Sequence, residues 1–263
     1  IDLGTNGEVV VGNRDFLMAC ACSAGPAFEG GGIKDGMRAA RGAIEKVDID
    51  AETGKCRCET IGGGGAEGIC GSGMISLLAN LFRNGWIDAA GRFSRSKTSP
   101  YINFDGRQAI FRIADAKDSK TGRDITIDER DIENVMRAKA AVYAACALML
   151  RQAGISFDDL SHIYIAGGFG RYLNIEDAIT IGLLPDLPRG RFRFLGNTSL
   201  AGSTMMLLSE SHRRMQIEHS RRMTYVELNT DPEYMDQYTG ALFLPHTDRR
   251  LFPSVGISNL ANK

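Results

Sequence analysis

The sequence has few of the residues on which metal centres, membrane spans and nucleic-acid surfaces depend. Its 263 residues include four histidines and one tryptophan, and 31 basic side chains are balanced by 32 acidic ones. This balance provides no basic footprint for nucleic acid and no polybasic membrane anchor. The longest apolar runs are much shorter than the ~20 residues of a membrane span. We therefore expect neither a nucleic acid nor a membrane as a partner.

The six cysteines do not follow a zinc-binding pattern. They include two pairs with C-x-C spacing, Cys20 with Cys22 and Cys56 with Cys58, whereas structural zinc sites usually show two to four intervening residues. Alternate residues of a strand share one face, so we interpret Cys20 and Cys22 as small buried side chains. We expect no metal ligands among the side chains. A chain of this size does not need disulfides, and a reducing cytoplasm fits best.

The composition is that of a globular protein, with 43% hydrophobic and 24% charged residues. The chain begins with an apolar stub around Asp2, followed by a loop containing Gly4, Thr5 and Asn6 and by the apolar run Val9–Val11. This order predicts strand, tight turn, strand. Glycines let the backbone approach a ligand, and amides lining such a turn can hold phosphate oxygens. An ordinary Gly-Asn hairpin fits the same residues.

A second glycine-rich turn follows a predicted antiparallel hairpin. The apolar runs 8–11 and 16–22 are joined by residues typical of hairpins. Four glycines and one proline then occupy residues 23–32, which excludes a regular element. If the strands share a sheet, this turn, with Gly25, lies near the first. Glu29 is the acid within it, and it either positions a water molecule or accepts a hydrogen bond that stabilises the loop.

A third glycine-rich segment, 62–73, opens a predicted helix. Apolar residues recur at helical spacing from Met74, and Ser72 is a plausible cap. The free amides of a helix N-terminus favour an anion or a polar ligand edge. The alternative is that Gly71 and Gly73 permit close helix packing. Residues 91–128 then resemble an inserted hairpin with strands at 109–113 and 124–127.

A long alanine-rich helix is predicted over about 132–152, with Asp128 or Asp131 as its cap. Alanine on all sides suits close packing against a sheet. Lys139 is the cation in the middle of this surface. It either extends its ammonium group to solvent or contacts a ligand.

The order helix, strand, glycine turn, helix appears next and is typical of a parallel sheet. Strand 163–166 leads into Gly167, Gly168 and Phe169, and Asn174 caps the following helix. Ligands of such sheets bind beyond the carboxyl ends of the strands. Neither the dinucleotide fingerprint nor the P-loop motif is present. The same order recurs over 194–202, and a helix (211–223), a strand (224–228) and a helix capped by Asp231 or Thr230 complete the chain.

These segments together resemble a known family. Asp2–Glu8 looks like the second phosphate loop of the superfamily of actin, sugar kinases, acetate kinase and heat-shock chaperones (ASKHA). Ile165–Gly170 is similar to its adenosine motif. Three further segments accompany these two motifs: Ala24–Gly30, Gly68–Gly73 and Gly196–Gly202. The order of all five motifs along the chain resembles the C-terminal region of the reductive activators of corrinoid proteins, the RACo and RamA group.

The resemblance implies an α/β fold and a division of the chain. We expect a ribonuclease-H-like ASKHA second lobe over residues 1–210, with the inserted hairpin at about 91–128, and a C-terminal α/β extension over 211–263. The family's ferredoxin domain, with its [2Fe–2S] cluster, and the first ASKHA lobe are expected upstream of Ile1. Whether this chain is an enzyme by itself stays open, because it lacks those parts.

The resemblance also implies an activity. Its members couple ATP hydrolysis, with Mg²⁺, to delivery of one electron to a Co(II) corrinoid, which regenerates Co(I). The partner would be a corrinoid protein or a component of a corrinoid-dependent methyltransferase or demethylase, and a homodimer is allowed. A small-molecule kinase of the same superfamily and a non-catalytic dimerisation or docking module are the alternatives.

The site residues follow from the same resemblance. Asp2, acting through water or the magnesium ion, and Glu29 are the catalytic candidates. Gly4, Thr5 and Asn6 would hold terminal phosphates, and Gly167, Gly168 and Phe169 would line the adenosine. The complete set of cofactor-binding candidates is Gly4, Thr5, Asn6, Gly25, Ser72, Lys139, Gly167, Gly168 and Phe169.

Overall fold

The computed structural model describes residues 1–106, 108–168 and 173–256. The strands are β1 (Asp2–Leu3), β2 (Gly7–Gly12), β3 (Leu17–Cys22), β4 (Ala43–Ile49), β5 (Cys56–Thr60), β6 (Gly68–Ile69), β7 (Ile102–Asp105), β8 (Gln108–Ala114), β9 (Ile125–Asp128), β10 (Ile163–Ala166), β11 (Phe192–Gly196) and β12 (Met223–Tyr225). The α-helices are α1 (Gly71–Arg83), α2 (Glu129–Gln152), α3 (Ile175–Thr180), α4 (Thr198–Leu208), α5 (Glu210–Arg222) and α6 (Tyr234–Ala241).

The largest sheet joins strands from distant parts of the chain in the order β11-β10-β1-β2-β3-β12. β1 is parallel to β10, and β10 is parallel to β11. β2 is antiparallel to both β1 and β3, as the hairpin prediction required. Consequently β1, β3, β10 and β11 all run in one direction and end at one edge of the sheet. The glycine-rich turns after β1, β3 and β10 therefore share that edge.

Helix α2 covers one face of this sheet. Asp128 is its N-cap and forms a capping box with Asp131, so the helix begins three residues before the predicted start. Val9 and Val11 of β2 are buried on the α2 side, whereas Val10 is exposed on the other face. This alternation follows from the period of two along a strand. The alanines of α2 are buried almost throughout, which allows the helix to lie close to the sheet.

Two smaller sheets, β5-β4-β6 and β7-β8-β9, flank the large one. Helix α1 packs on β4 so closely that a Cβ added to Gly73 would lie 2.1 Å from the carbonyl oxygen of Ile44. Gly73 therefore permits close helix packing, which was one of the two interpretations of this segment. The inserted hairpin is present as β8 and β9, and β7 adds a third strand to it.

The last part of the described chain joins the same core. β12 pairs with β3 at the edge of the large sheet, and α6 packs against α2. The helix predicted at 211–223 is α5. The cap predicted for α6 is wrong, because the helix begins after Glu233. The Asp231 carboxylate accepts from the amide of Glu233, the residue before the helix, and also binds the side chains of Arg151 and Gln152. Within the described residues, no helix combines the length and apolarity needed to span a membrane.

Candidate functional site

An open pocket of about 410 Å³ lies at the edge where β1, β10 and β11 end. Asp2, Gly4, Glu29, Gly167 and Gly168 line it. They come from β1 and from the turns that follow β1, β3 and β10, and all five were predicted as site residues. The structure therefore brings the centre of the predicted site together in one place, which we call the edge pocket.

The strand ends around the edge pocket hold each other in place. Gly167 has φ +100°, a conformation that favours glycine. A Cβ added there would lie 2.4 Å from the carbonyl oxygen of Leu3 and 2.9 Å from a carboxylate oxygen of Asp2. The Gly167 amide also donates to the carbonyl oxygen of Gly196, at 3.0 Å. The turn after β10 can pass this close to β1 and β11 only because residue 167 has no side chain.

The first two glycine-rich turns are connected by a side-chain hydrogen bond. The hydroxyl group of Thr5 donates to the carboxylate of Glu29, and the Gly4 amide donates to the carbonyl oxygen of Asn6 at 3.0 Å. Thr5 and Asn6 follow Gly4 and are exposed, but neither lines the edge pocket. Gly25 has φ +72° and precedes the short 3-10 helix Pro26–Glu29. It helps to position Glu29 but does not itself line the edge pocket.

The N-terminus of α4 forms another side of the edge pocket. Asn197 and Ser199 line it, and the side-chain oxygen of Asn197 accepts from the Leu200 amide at 2.9 Å. The helix dipole places partial positive charge at this end, which favours an anionic or polar ligand group. The repeated order of strand, glycine and cap in the sequence contained this signal, but these two residues were not among the predicted site residues.

Arg38 also lines the edge pocket and was missed by the sequence analysis. It is exposed and lies in an irregular segment between the second turn and β4. The amide of the preceding residue, Met37, donates to the carbonyl oxygen of Ile69 at 2.9 Å, which anchors the main chain there. No helical or strand period marks this segment, so only the tertiary structure reveals that the arginine reaches the site.

The prediction that Lys139 extends to solvent or contacts a ligand is wrong. Its side chain is 0% exposed, and its ammonium group donates to the carbonyl oxygens of Phe243, at 2.5 Å, and Pro245, at 2.8 Å. Burial lowers the pKa of Lys139 well below its usual value. Lys139 therefore fastens the segment after α6 to α2, away from the edge pocket.

Ser72 also lies away from the edge pocket, and Phe169 falls outside the described residues. The Ser72 side chain is buried, and its hydroxyl oxygen is 3.3 Å from the sulfur of Cys70. Cys70, not Ser72, is the N-cap of α1, and it makes no side-chain capping bond. The predicted cap is wrong because the helix starts two residues earlier, which turns the Ser72 side chain into the core.

The buried thiols of Cys20 and Cys22 are protonated and therefore unreactive as nucleophiles. Burial raises the pKa of Cys20 to about 12 and that of Cys22 to about 11, so both remain protonated at neutral pH. All six cysteines are free. A larger cavity of about 500 Å³ borders Cys56 and Cys58 between β5 and β8, but burial also raises the pKa of these thiols. The edge pocket, which gathers the predicted residues, is the better candidate site.

Comparisons with known proteins identify the family to which the chain belongs. A family model described as the C-terminal domain of RACo, the ASKHA domain, matches residues 1–256. The corrinoid activation enzyme RamQ of Eubacterium limosum is 40% identical over 245 residues, which are 90% of this chain and 41% of that protein. The [Co(II) methylated amine-specific corrinoid protein] reductase of Methanosarcina barkeri is 30% identical over 245 residues, 85% of this chain and 41% of that protein.

A solved structure gives the same answer for the fold. The reductive activator for corrinoid, iron-sulfur protein superposes with a TM-score of 0.92 at 50% identity, covering 97% of this chain and 40% of that one. The chain thus spans about two fifths of the length of the relatives that it matches. With a matching family model over nearly its whole length, this chain belongs to the family of C-terminal ASKHA domains of RACo, the reductive activators of corrinoid proteins.

Proposed function

We propose that this chain is the nucleotide-binding lobe of an activator that couples ATP hydrolysis to one-electron reduction of a Co(II) corrinoid to Co(I). Family membership supports the proposal, as do the names of two relatives, a corrinoid activation enzyme and a reductase of a Co(II) corrinoid protein. The partner would be a corrinoid protein or a corrinoid-dependent methyltransferase component. The free cysteines suit a reducing cytoplasm.

The convergence of three glycine-rich turns on the edge pocket carries the proposal. Gly4, Thr5 and Asn6 would hold the terminal phosphates through backbone amides and the Thr5 hydroxyl group. Gly167 and Gly168 would lie along the adenosine. The N-terminus of α4 adds partial positive charge to the same pocket.

The donor groups present fit magnesium and do not fit an iron–sulfur cluster. Mg²⁺ is usually bound through one or two carboxylates together with substrate phosphates, and Asp2 supplies a carboxylate in the edge pocket. When bound, the ion neutralises phosphate charge. A [2Fe–2S] cluster requires four thiolate ligands, whereas the cysteine pairs of this chain lie on different sheets. We assign the cluster to a domain outside these residues.

The contact between Thr5 and Glu29 suggests how nucleotide is sensed. A phosphate oxygen reaching the first turn would compete with the Glu29 carboxylate for the Thr5 hydroxyl proton. Glu29 would then be available to accept a hydrogen bond from a water molecule. Closure of two lobes on the nucleotide is a hinge-type change, and differential affinity of ATP for the two states can drive it.

A pair of substitutions at Gly168 tests the proposal. A Cβ added to Gly168 meets no atom within 4 Å among the described residues, so Gly168→Ala should leave the fold intact and serves as the control for any added side chain. Gly168→Asp places a carboxylate in the edge pocket and should abolish both the binding of magnesium–ATP, measured by calorimetry, and the ATP-dependent appearance of the Co(I) spectrum. The full-length gene product is used. An unchanged cluster spectrum shows that the cluster domain is intact, and an unchanged urea midpoint shows that this lobe is folded. Undiminished activation by the Asp variant would refute the proposal.

A further inference from the structure

We propose that Arg38 binds the terminal phosphate of the nucleotide in the edge pocket and makes this site selective for nucleoside triphosphates. This inference rests on the proposed function, since it needs a nucleotide in the edge pocket. It assigns a role to a residue that no sequence motif marks. Three observations carry it: the charge of the edge pocket, the side on which Arg38 lies, and the absence of a competing partner.

The charge of the edge pocket calls for a cation. Among the described residues that line it, the charged side chains are Asp2, Glu29 and Arg38. Two carboxylates without Arg38 would repel the phosphates of ATP, and a magnesium ion would have to offset both the carboxylates and the phosphates. A guanidinium group presents five N–H donors in a planar fork that matches phosphate oxygens. Among the described residues that line the edge pocket, Arg38 is therefore the cation that can balance this charge.

The main-chain packing puts Arg38 on the side of the first turn. The segment that carries Arg38 lies directly against the turn that carries Glu29. A Cβ added to Gly30 would lie 2.3 Å from the Met37 amide nitrogen, and one added to Gly36 would lie 2.3 Å from the Gly30 carbonyl oxygen. Glu29 in turn accepts the hydrogen bond from the first turn. Arg38 thus lies at the end of the edge pocket assigned to the terminal phosphates.

The backbone of Arg38 is fixed while its side chain is available. Hydrogen bonds of 2.9 Å join the Met37 amide to Ile69 and the Ile69 amide to Asp35, so the main chain is held on β6. Within the part of the chain that the structure describes, the Arg38 guanidinium has no hydrogen-bond or ion-pair partner. A ligand therefore does not have to break an existing ion pair in order to bind it.

Arg41 provides a matched control. It is exposed, three residues further along the same segment, and carries the same charge. Its stem runs beside Gly62, whose added Cβ would lie 3.0 Å from the Arg41 Cγ, and it does not line the edge pocket. A general effect of surface charge would appear in the Arg38 and Arg41 variants alike, whereas a direct phosphate contact would appear only at Arg38.

The test compares ATP, ADP and AMP, each with magnesium, by calorimetry on the full-length gene product. Arg38→Ala should weaken ATP binding about ten- to hundredfold, the loss expected for a charge-assisted contact, and leave AMP affinity within about twofold. Arg38→Lys should recover part of the loss, because it restores the charge without the fork. Arg41→Ala should match the wild type. Arg38→Gln repeats the test if the alanine variant melts at a lower temperature.

The outcomes separate this inference from the proposed function. Unchanged ATP affinity in Arg38→Ala and Arg38→Gln, or equal losses for ATP and AMP, would overturn the role of Arg38 while the nucleotide site itself stands. If Arg41→Ala lost as much ATP affinity as Arg38→Ala, the effect would be one of general surface charge, and the proposed role of Arg38 would be overturned as well. A wild-type protein that binds none of the three nucleotides would overturn the proposed function and the role of Arg38 together.

Discussion

Replacing Gly167 by alanine should destabilise the protein and disorganise the edge pocket. At this position the backbone has φ +100°, and the new Cβ would approach the carbonyl oxygen of Leu3 to 2.4 Å and a carboxylate oxygen of Asp2 to 2.9 Å. Backbone atoms of a central strand cannot turn aside as a flexible side chain can. The methyl group must therefore push the turn after β10 away from the end of β1.

The magnitude follows from two contributions. An L-residue in a left-handed conformation costs about 1–2 kcal/mol, and an extra methyl group in a packed region costs about 1–3 kcal/mol. Together they amount to about 2–5 kcal/mol, a large part of the ~5–15 kcal/mol by which domains are stable. The neighbouring Gly168 provides the comparison, because alanine there meets open space among the described residues and should change stability by less than about 0.5 kcal/mol.

The assay is urea unfolding of the two variants and the wild type, followed by two probes whose transitions must coincide for a two-state treatment. Calorimetry with magnesium–ATP on the full-length gene product then reports on the site. Gly167→Ala should lower the urea midpoint and weaken nucleotide binding, whereas Gly168→Ala should leave the midpoint unchanged. Equal midpoints for the two alanine variants would refute this prediction, because they would show that the turn can move without cost.

Three further predictions concern buried charges and Glu29. Burial lowers the pKa of Lys139 well below 10.5, so at pH values between the folded and unfolded pKa the unfolded chain binds more protons than the folded protein. The free energy of unfolding of the wild type should therefore rise as the pH increases towards 10.5. Lys139→Met should abolish this rise, measured as the urea midpoint at each pH. Arg83, which is partly exposed, binds the buried Asp177 at 2.6 Å, so Arg83→Ala should destabilise the protein by about 2 kcal/mol near pH 7. The loss in thermal unfolding should shrink near pH ~4, because burial raises the pKa of Asp177 and its protonation removes the unpaired charge. In the Glu29→Gln variant the amide oxygen can still accept a hydrogen bond from Thr5, so the affinity for nucleotide should persist. The rate of ATP hydrolysis, measured as phosphate release, should fall about 100-fold. An unchanged rate of hydrolysis would exclude Glu29 from catalysis.

The sequence was sufficient where local chemistry determines the structure. The apolar runs 8–11 and 16–22, joined by residues typical of hairpins, predicted the hairpin strands. Asn174 does cap α3, its side chain accepting from the Asp177 amide. The carboxylate of Asp128 likewise marked the start of α2. In these places the hydrogen bond or the buried face involves residues only a few positions apart, so the pattern can be recognised without knowing the fold.

The sequence was insufficient where distant segments meet. The sequence predicted Lys139 as a cation that reaches solvent or a ligand, because its two carbonyl acceptors lie more than a hundred residues away in sequence. Arg38 carries no local signal, because its relation to the edge pocket depends on the packing of Gly36 against Gly30. Ser72 followed the usual composition of a cap, but the strand before α1 ends early enough for Cys70 to take that position.

The place of β1 in the large sheet has a consequence for synthesis on the ribosome. This two-residue strand lies between β2, which follows it directly, and β10, which is translated about 160 residues later. Pairings of such large sequence separation form slowly and leave strand edges open in the meantime. A nascent chain that stops before Ile163 should therefore fail to protect β1 from hydrogen exchange, whatever nucleotide is supplied.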